Sequence, residues 1–274
     1  MMANTIGKSW LVAKVGGALL KDGAALQSVL QVLQQLQTRY AVVLVHGGGD
    51  TTQALLEALD FSSEKIDGVR VTPKAHIPYV VGALAGTVNS EICAQAKVAG
   101  LNPVGLTLLD GGMCKAQITE PRFGSVGKVS PADSNLLTML SNGDYLPVVA
   151  SIACDEVGNL LNVNADDAAA VVAQLLSAEL LLLSDVAGVL DQDKQLISQL
   201  DSAQISSLTE QNVIQGGMVV KVNSALATAN QTQKSVFISS WKTPEQMLAL
   251  LKGQSCGTCI VPNLQADSSK GTSL

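Results

Sequence analysis

The chain has 274 residues, a net charge of −6, 47% apolar residues and only 3% aromatic ones. That balance argues against nucleic acid and anionic membranes as partners. It also leaves Val, Leu and Ala to do the packing, as in a parallel sheet covered by helices rather than an aromatic-cored sandwich.

Residues 1–9 have no basic segment followed by an apolar core, so no signal peptide is expected. The first strand is expected at 10–15 and ends in Lys14-Val15-Gly16-Gly17. Glycine at a strand end lets backbone N–H groups approach an anion, and lysine adds a point charge. The plainer reading of Lys14 is a side chain snorkelling at the sheet edge. Leu26, Val29, Leu30, Leu33 and Leu36 then recur at helical spacing. A second strand, 42–45, runs into His46-Gly47-Gly48-Gly49 and a helix with Leu55, Leu56 and Leu59 on its apolar side. The unpaired N–H groups and positive end of that helix suit an anion, while His46 reads as a structural hydrogen-bonder. Next comes Gly68-Val69-Arg70-Val71-Thr72-Pro73, whose arginine suits bidentate capture of a carboxylate or a surface ion pair.

Further strands are expected at 103–108, 145–151, 180–184, 236–239 and 258–261. Thr72-Pro73, Ser130-Pro131 and Thr243-Pro244 each place a cap residue before a proline at a helix start. Asp110-Gly111-Gly112 and Asp155-Glu156-Val157-Gly158-Asn159 are turn signals, so hairpins are expected to interrupt the middle of the chain. Asn162-Val163-Asn164-Ala165-Asp166 opens an Ala-rich helix, where Asn164 makes a good N-cap and Asp166 suits the first turn. The alternative is that the two amides face a substrate while Asp166 holds two lysines. The second lysine, Lys221, closes Gly216-Gly217-Met218-Val219-Val220-Lys221. Between them, Asp185-Val186-Ala187-Gly188-Val189-Leu190 is a small-residue loop able to accept an adenine and ribose. Five dispersed cysteines fit a reducing, cytoplasmic compartment, and the lone pair Cys256 and Cys259 reads as incidental. Residues 263–274 read as a polar tail.

Strands alternating with helices predict a largely parallel sheet between two helical layers, with ligands beyond the carboxyl ends of the strands. Neither GxxxxGK[ST] nor GxGxxG occurs, so the glycine runs point to phosphate chemistry on another scaffold.

Taken in order, Lys14-Val-Gly-Gly17, His46-Gly-Gly-Gly49, Gly68-Val-Arg70-Val-Thr-Pro73, Asn162-Val-Asn-Ala-Asp166, Leu183-Ser-Asp-Val-Ala-Gly188 and Gly217-Met-Val-Val-Lys221 resemble the amino acid kinase superfamily. The likeness runs from about residue 10 to 261 and is greatest to the branch acting on N-acetylglutamate. It implies a three-layer αβα sandwich with an eight-stranded, largely parallel sheet, in one kinase domain over 5–262. An amino-acid-substrate and dimerisation lobe would span about 5–178 and a nucleotide lobe about 179–262. The implied reaction is ATP-dependent phosphorylation of the side-chain carboxylate of N-acetyl-L-glutamate, with Mg²⁺ held mainly by the nucleotide phosphates and no protein metal ligands. By the same resemblance, Lys14 and Lys221 stabilise the transferring phosphoryl group and Asp166 orients them. Gly48 and Gly49 contact the substrate side, with Arg70 and Asn162 holding it. Gly16, Gly17, Asp185, Val186, Ala187, Gly188, Val189 and Leu190 line the nucleotide side with Val213, Ile214 and Gln215.

Alternatives are another carboxylate or carbamate kinase of the superfamily, or a catalytically silent binding protein of the same fold. Only 13 residues precede Lys14, whereas arginine-inhibited hexameric relatives carry an extra N-terminal helix there. The expectation is a cytoplasmic homodimer that arginine does not inhibit.

Overall fold

The computed structural model describes residues 7–66 and 69–263. Asp67, Gly68 and the segments 1–6 and 264–274, which hold most of the expected tail, lie outside the described residues. An eight-stranded sheet runs from one edge to the other as Gln199–Leu200, Thr258–Ile260, Val236–Ser240, Glu179–Ser184, Ser9–Val15, Tyr40–His46, Leu146–Ala150 and Pro103–Thr107. Neighbours pair in parallel, except Val236–Ser240 against Thr258–Ile260.

The period of two along each strand divides the apolar residues between two cores. From Ser9–Val15, Leu11, Ala13 and Val15 join one core while Val12 joins the other. Val42 and Leu44 alternate with Val43 and Val45, as do Leu181 and Leu183 with Leu180 and Leu182. The first core is closed by the helix Gly23–Leu36, through Leu26, Val29, Leu30, Leu33 and Leu36, and by Ile92 and Ala96 of Asn89–Val98. The second is closed by Ala168, Ala169, Val172, Ala173 and Leu176 of Ala165–Leu176 and by Val222, Ala225 and Ala229 of Gly217–Thr232. Small alanines let these two helices lie close to a sheet buried on both sides.

The chain leaves Ser9–Val15 toward one face, whereas Ala165–Leu176 enters Glu179–Ser184 from the other. The sheet therefore has its topological switch at the end of Ser9–Val15, where a crevice opens beyond the strand termini. Lys14 stands at that end.

Two hairpins interrupt the parallel pattern at the turn signals: Cys114–Ile118 with Gly127–Pro131, and Ile152–Cys154 with Leu160–Asn162. The Asp155 carboxylate caps the second turn, accepting from the Val157 and Asn159 backbone N–H groups. A third, short pair joins Lys65–Ile66 to Val69–Arg70.

Two expected helix starts change. Pro131 ends a hairpin strand opposite Cys114, and the next helix, Asn135–Asn142, starts only after Ser134. Ladder pairing with Cys114–Ile118 overrides the helix-start signal. Pro73 opens a turn, and helix begins at Ile77 with Pro78 in its first turn. Only Thr243-Pro244 starts a helix, the 3₁₀ segment Pro244–Lys252. The strand Gln199–Leu200 was not foreseen, because two residues carry no periodicity.

Candidate active site

Lys14 is the penultimate residue of its strand, and its Nζ lies 2.8 Å from Asp166 Oδ1 in the first turn of Ala165–Leu176. The lysine side chain is 15% exposed and the aspartate 42%, so the pair sits at the mouth of the crevice rather than in the core. Lys221, in the second turn of Gly217–Thr232, belongs to the same charge cluster. Burial pushes its ammonium below the ordinary lysine value, Asp166 pulls it up, Lys14 pushes it down again, and Asp185 pulls it up. Two cations are thus gathered around one carboxylate at the carboxyl end of the sheet. They can balance negative charge on a phosphoryl group passing between them.

Beside them lies a cleft of about 160 Å³ walled by Gly47, Gly48, Gly49, Lys65, Arg70, Val126, Ser151, Asn162, Asn164 and Ala165, among others. A Cβ on Gly48 would stand 2.7 Å from Leu84 Cδ2 and 2.9 Å from Val88 Cγ2. Those side chains project from the π-helical segment Gly82–Val88, which runs unbroken between helices Ile77–Val81 and Asn89–Val98. The lack of a side chain lets the loop press against that segment while Gly49–Ala58 starts at the cleft.

Arg70 is buried, and its guanidinium is held on three sides. Nη1 donates to Gln53 Oε1 at 2.6 Å and to Ser63 Oγ, and Nη2 donates to the Gly49 carbonyl at 2.9 Å. Gln53 in turn donates to Glu57 Oε1 at 2.7 Å, one helical turn on. Burial pushes the Arg70 pKa down, Asp50 and Glu57 push it back, and an arginine stays charged throughout. No carboxylate among the described residues forms an ion pair with it. A buried, charged, pre-oriented guanidinium in a cleft wall is chemically suited to an anionic ligand group.

Asn162 closes the opposite wall, its Nδ2 donating to Thr72 Oγ1 at 3.1 Å. Asn164 also lines the cleft, but its Oδ1 caps the helix by accepting from Asp166 N at 2.8 Å. The plainer reading thus holds for Asn164. His46 is fully buried, its Nδ1 2.7 Å from the Gly47 carbonyl and its Nε2 2.9 Å from Asn89 Nδ2. That pattern needs the proton on Nδ1, and burial lowers the imidazole pKa to about 4. His46 is a neutral scaffold residue with both nitrogens engaged, not a base.

On the other side of the lysines, Asp185, Val186, Ala187 and Leu190 are exposed in the loop after Glu179–Ser184, as is Gln215 before the Lys221 helix. Gly188, Val189 and Ile214 are buried, and Val189 and Ile214 belong to the core. Val189 N donates to Thr258 Oγ1 at 2.8 Å, which anchors the loop to the sheet. The side chains of Val189 and Ile214 are therefore spent on packing. Cys256 and Cys259 are core residues too, and burial pushes the Cys256 thiol up to about 12.

Lys65, Thr52 and Ser151 in the cleft wall, and Gln53 and Ser63 behind Arg70, belong to no recognisable motif in the sequence. Gln53 and Glu57 at helical spacing were the only available signal, and that pattern is common on solvated helices. A larger groove of about 510 Å³ between Lys115–Ile118, Lys128–Ser130 and the Asp155 turn contains none of the expected residues. It also lacks the convergence of buried cation and glycine loop seen at the smaller cleft.

Comparison with known proteins gives a consistent picture. Residues 9–240 match the model of the amino acid kinase family. The chain is 47% identical over 253 residues to the acetylglutamate kinase of Colwellia psychrerythraea, covering 92% of this chain and 97% of that one. It is 43% identical over 270 residues to the acetylglutamate kinase of Shewanella halifaxensis, covering 96% and 100%. In fold it is similar to the N-acetylglutamate synthase of Neisseria gonorrhoeae, with a TM-score of 0.79 and 23% identity over 94% of this chain and 60% of that one.

Proposed function

The chain belongs to the amino acid kinase family, and from that premise we infer that it transfers the γ-phosphoryl group of ATP to the side-chain carboxylate of N-acetyl-L-glutamate. The product is N-acetyl-L-glutamyl 5-phosphate, and the step belongs to arginine biosynthesis. The relatives named acetylglutamate kinase support the substrate. The observation that carries the chemistry is the Lys14–Asp166 pair with Lys221 in its field, beside a cleft walled by a buried arginine.

The substrate's side-chain carboxylate, with an ordinary pKa of about 4.3, is already ionised at neutral pH. No general base is needed, which agrees with the neutral, fully bonded His46. Phosphoryl transfer then depends on alignment and on offsetting charge. Lys14 and Lys221 supply that offset, and Asp166 keeps the two ammonium groups together against their repulsion. Arg70 takes the substrate's non-reacting carboxylate, Asn162 holds its polar groups, and Gly48 and Gly49 bring backbone up to it.

The nucleotide takes the other side of the lysines, along Gly16, Gly17, the loop Asp185 to Leu190, and Val213 to Gln215. Mg²⁺ is carried by the ATP phosphates and supplies further charge neutralisation there, since Asp166 and Asp185 face ammonium groups. In this reading the chain divides into an amino-acid lobe to about residue 178 and a nucleotide lobe from about 179. It works in the cytoplasm, which the five free thiols support. Among the described residues no helix is long and apolar enough to cross a membrane.

A homodimer paired through helices of the first lobe completes the reading. Val98, 75% exposed at the end of Asn89–Val98, and the exposed Tyr79 offer apolar surface on that lobe. Light scattering at several concentrations tests it, and a persistent monomer rejects it.

Trapping acyl phosphate as hydroxamate tests the activity. With ATP and Mg²⁺, N-acetylglutamate should give far more hydroxamate than glutamate, aspartate or carbamate. A site built around an acetylated amine leaves polar groups unpaired when the acetyl group is missing. Equal yields would point to another carboxylate kinase, and no yield with any acceptor to a silent binding protein.

A further inference from the structure

Thr72 is fully buried, and its one hydroxyl joins the two walls of the substrate cleft. Thr72 Oγ1 donates to the Arg70 carbonyl at 3.1 Å and accepts from Asn162 Nδ2 at 3.1 Å. A hydroxyl has a single proton, so spending it on Arg70 leaves only lone pairs for Asn162. The Asn162 amide is therefore locked with its NH₂ toward Thr72 and cannot flip without setting acceptor against acceptor. Its Oδ1 and remaining N–H are presented in a fixed sense.

The backbone around this hydroxyl is pinned as well. Thr72 N donates to the Phe123 carbonyl at 2.9 Å, and the Thr72 carbonyl accepts from Ser125 N at 2.6 Å. Asn162 N donates to the Ser125 carbonyl at 2.9 Å. The stretch from Phe123 to Val126 thus lies between Thr72 and Asn162, bridging to both. The fit is close: a Cβ on Gly124 would collide with the Thr72 carbonyl oxygen.

We propose that Thr72 is a positioning residue for the amino-acid substrate, its hydroxyl fixing the sense of the Asn162 amide and tying it to the Arg70 backbone across the cleft. This rests on the function inferred above. The hydrogen bonds of Thr72 among the described residues go to Arg70, Phe123, Ser125 and Asn162 and not to Lys14, Asp166 or Lys221, so its effect falls on substrate capture rather than on phosphoryl transfer. Its threonine methyl fills space, whereas the hydroxyl carries the orientation.

The test compares Thr72→Val, which keeps the shape and deletes the hydroxyl, with Thr72→Ala and Thr72→Ser. Steady-state constants are measured for both substrates in the hydroxamate assay, alongside thermal melting. Thr72→Val should raise KM for N-acetylglutamate about ten-fold or more, the order expected when buried polar groups lose a partner. KM for ATP and kcat should move much less, and Thr72→Ser should bring KM back toward wild type. If Thr72→Val is poorly folded, Thr72→Ala and Thr72→Ser give the same hydroxyl contrast. Unchanged KM in both hydroxyl-free variants overturns the proposal. So does a serine variant as impaired as valine, or losses spread equally over kcat and both KM values. Wild-type protein inactive on N-acetylglutamate would instead remove the function itself, and the proposal with it.

Discussion

Lys14 and Asp166 stand 152 positions apart in sequence and meet at 2.8 Å, because the strand of one ends and the helix of the other begins at the carboxyl end of the sheet. Asp166 also acts on Lys221, so it is the hinge of the charge cluster. Lys14→Ala and Lys221→Ala should each lower kcat by about 100- to 1000-fold, the usual cost of removing one transition-state charge partner. Asp166→Asn should cost at least as much, because it leaves two ammonium groups unrestrained. It should also move the alkaline limb of the kcat profile to lower pH, since Asp166 holds the Lys221 proton on. A Lys14 variant with normal kcat and only weaker ATP binding would contradict these roles.

Two of the groups that hold Arg70, Gln53 and Ser63, lie behind it rather than in the cleft wall, which separates binding from its support. Arg70→Ala should chiefly raise KM for the amino acid, because the carboxylate it takes does not react. Gln53→Leu should raise the same constant by less, since Ser63 and Gly49 still hold the guanidinium. In an Arg70→Ala background Gln53→Leu should add almost nothing. Additive effects in that double-mutant cycle would show that Gln53 acts elsewhere.

Much of this architecture was legible because apolar runs and glycine stops are local signals. The runs around Val12, Val43, Leu181 and Phe237 became sheet strands, and the glycines after Val15 and His46 fell at their carboxyl ends. The family motifs placed Lys14, Asp166 and Lys221 in one cluster. The network behind the site was not legible. Thr72 read as a helix cap because Pro73 follows it, yet its partners, Asn162 and the stretch from Phe123 to Ser125, lie some fifty to ninety residues away. The burial of the Val189 and Ile214 side chains was not legible either, because a loop motif does not reveal which side chains fold back into the core.

His46 gives a pH signature of folding rather than of catalysis. Its pKa falls from 6.5 in the unfolded chain to about 4 in the folded one, because burial opposes the imidazolium. Between those values the unfolded state binds a proton that the folded state does not, so acid favours unfolding. The contribution is complete above pH 6.5 and is lost progressively on the way to about 4, amounting to ~3 kcal/mol. A protonated Nε2 would also face the Asn89 amide donor. His46→Gln should be less stable at pH 7 but lose less than wild type between pH 6.5 and 4.5. Urea midpoints across that range decide it, and parallel pH slopes would rule His46 out as the source.

The two glycines at the cleft should respond oppositely to alanine. A methyl on Gly48 meets Leu84 and Val88, both buried. Leu84 can turn its tip, but a β-branched valine in a helical segment is nearly fixed in χ1. The loop must therefore back away from Val88 and into the substrate space. Such overpacking costs about 1–3 kcal/mol, so Gly48→Ala should lower the melting temperature and raise KM for N-acetylglutamate together. At Gly49 an added Cβ meets nothing within 4 Å, and the residue opens the helix Gly49–Ala58. Alanine is the better helix former, so Gly49→Ala should melt at or above the wild-type temperature. Differential scanning calorimetry of the two variants separates them. A Gly48→Ala protein as stable as Gly49→Ala would mean that contact with the π-helical segment does not set the loop position.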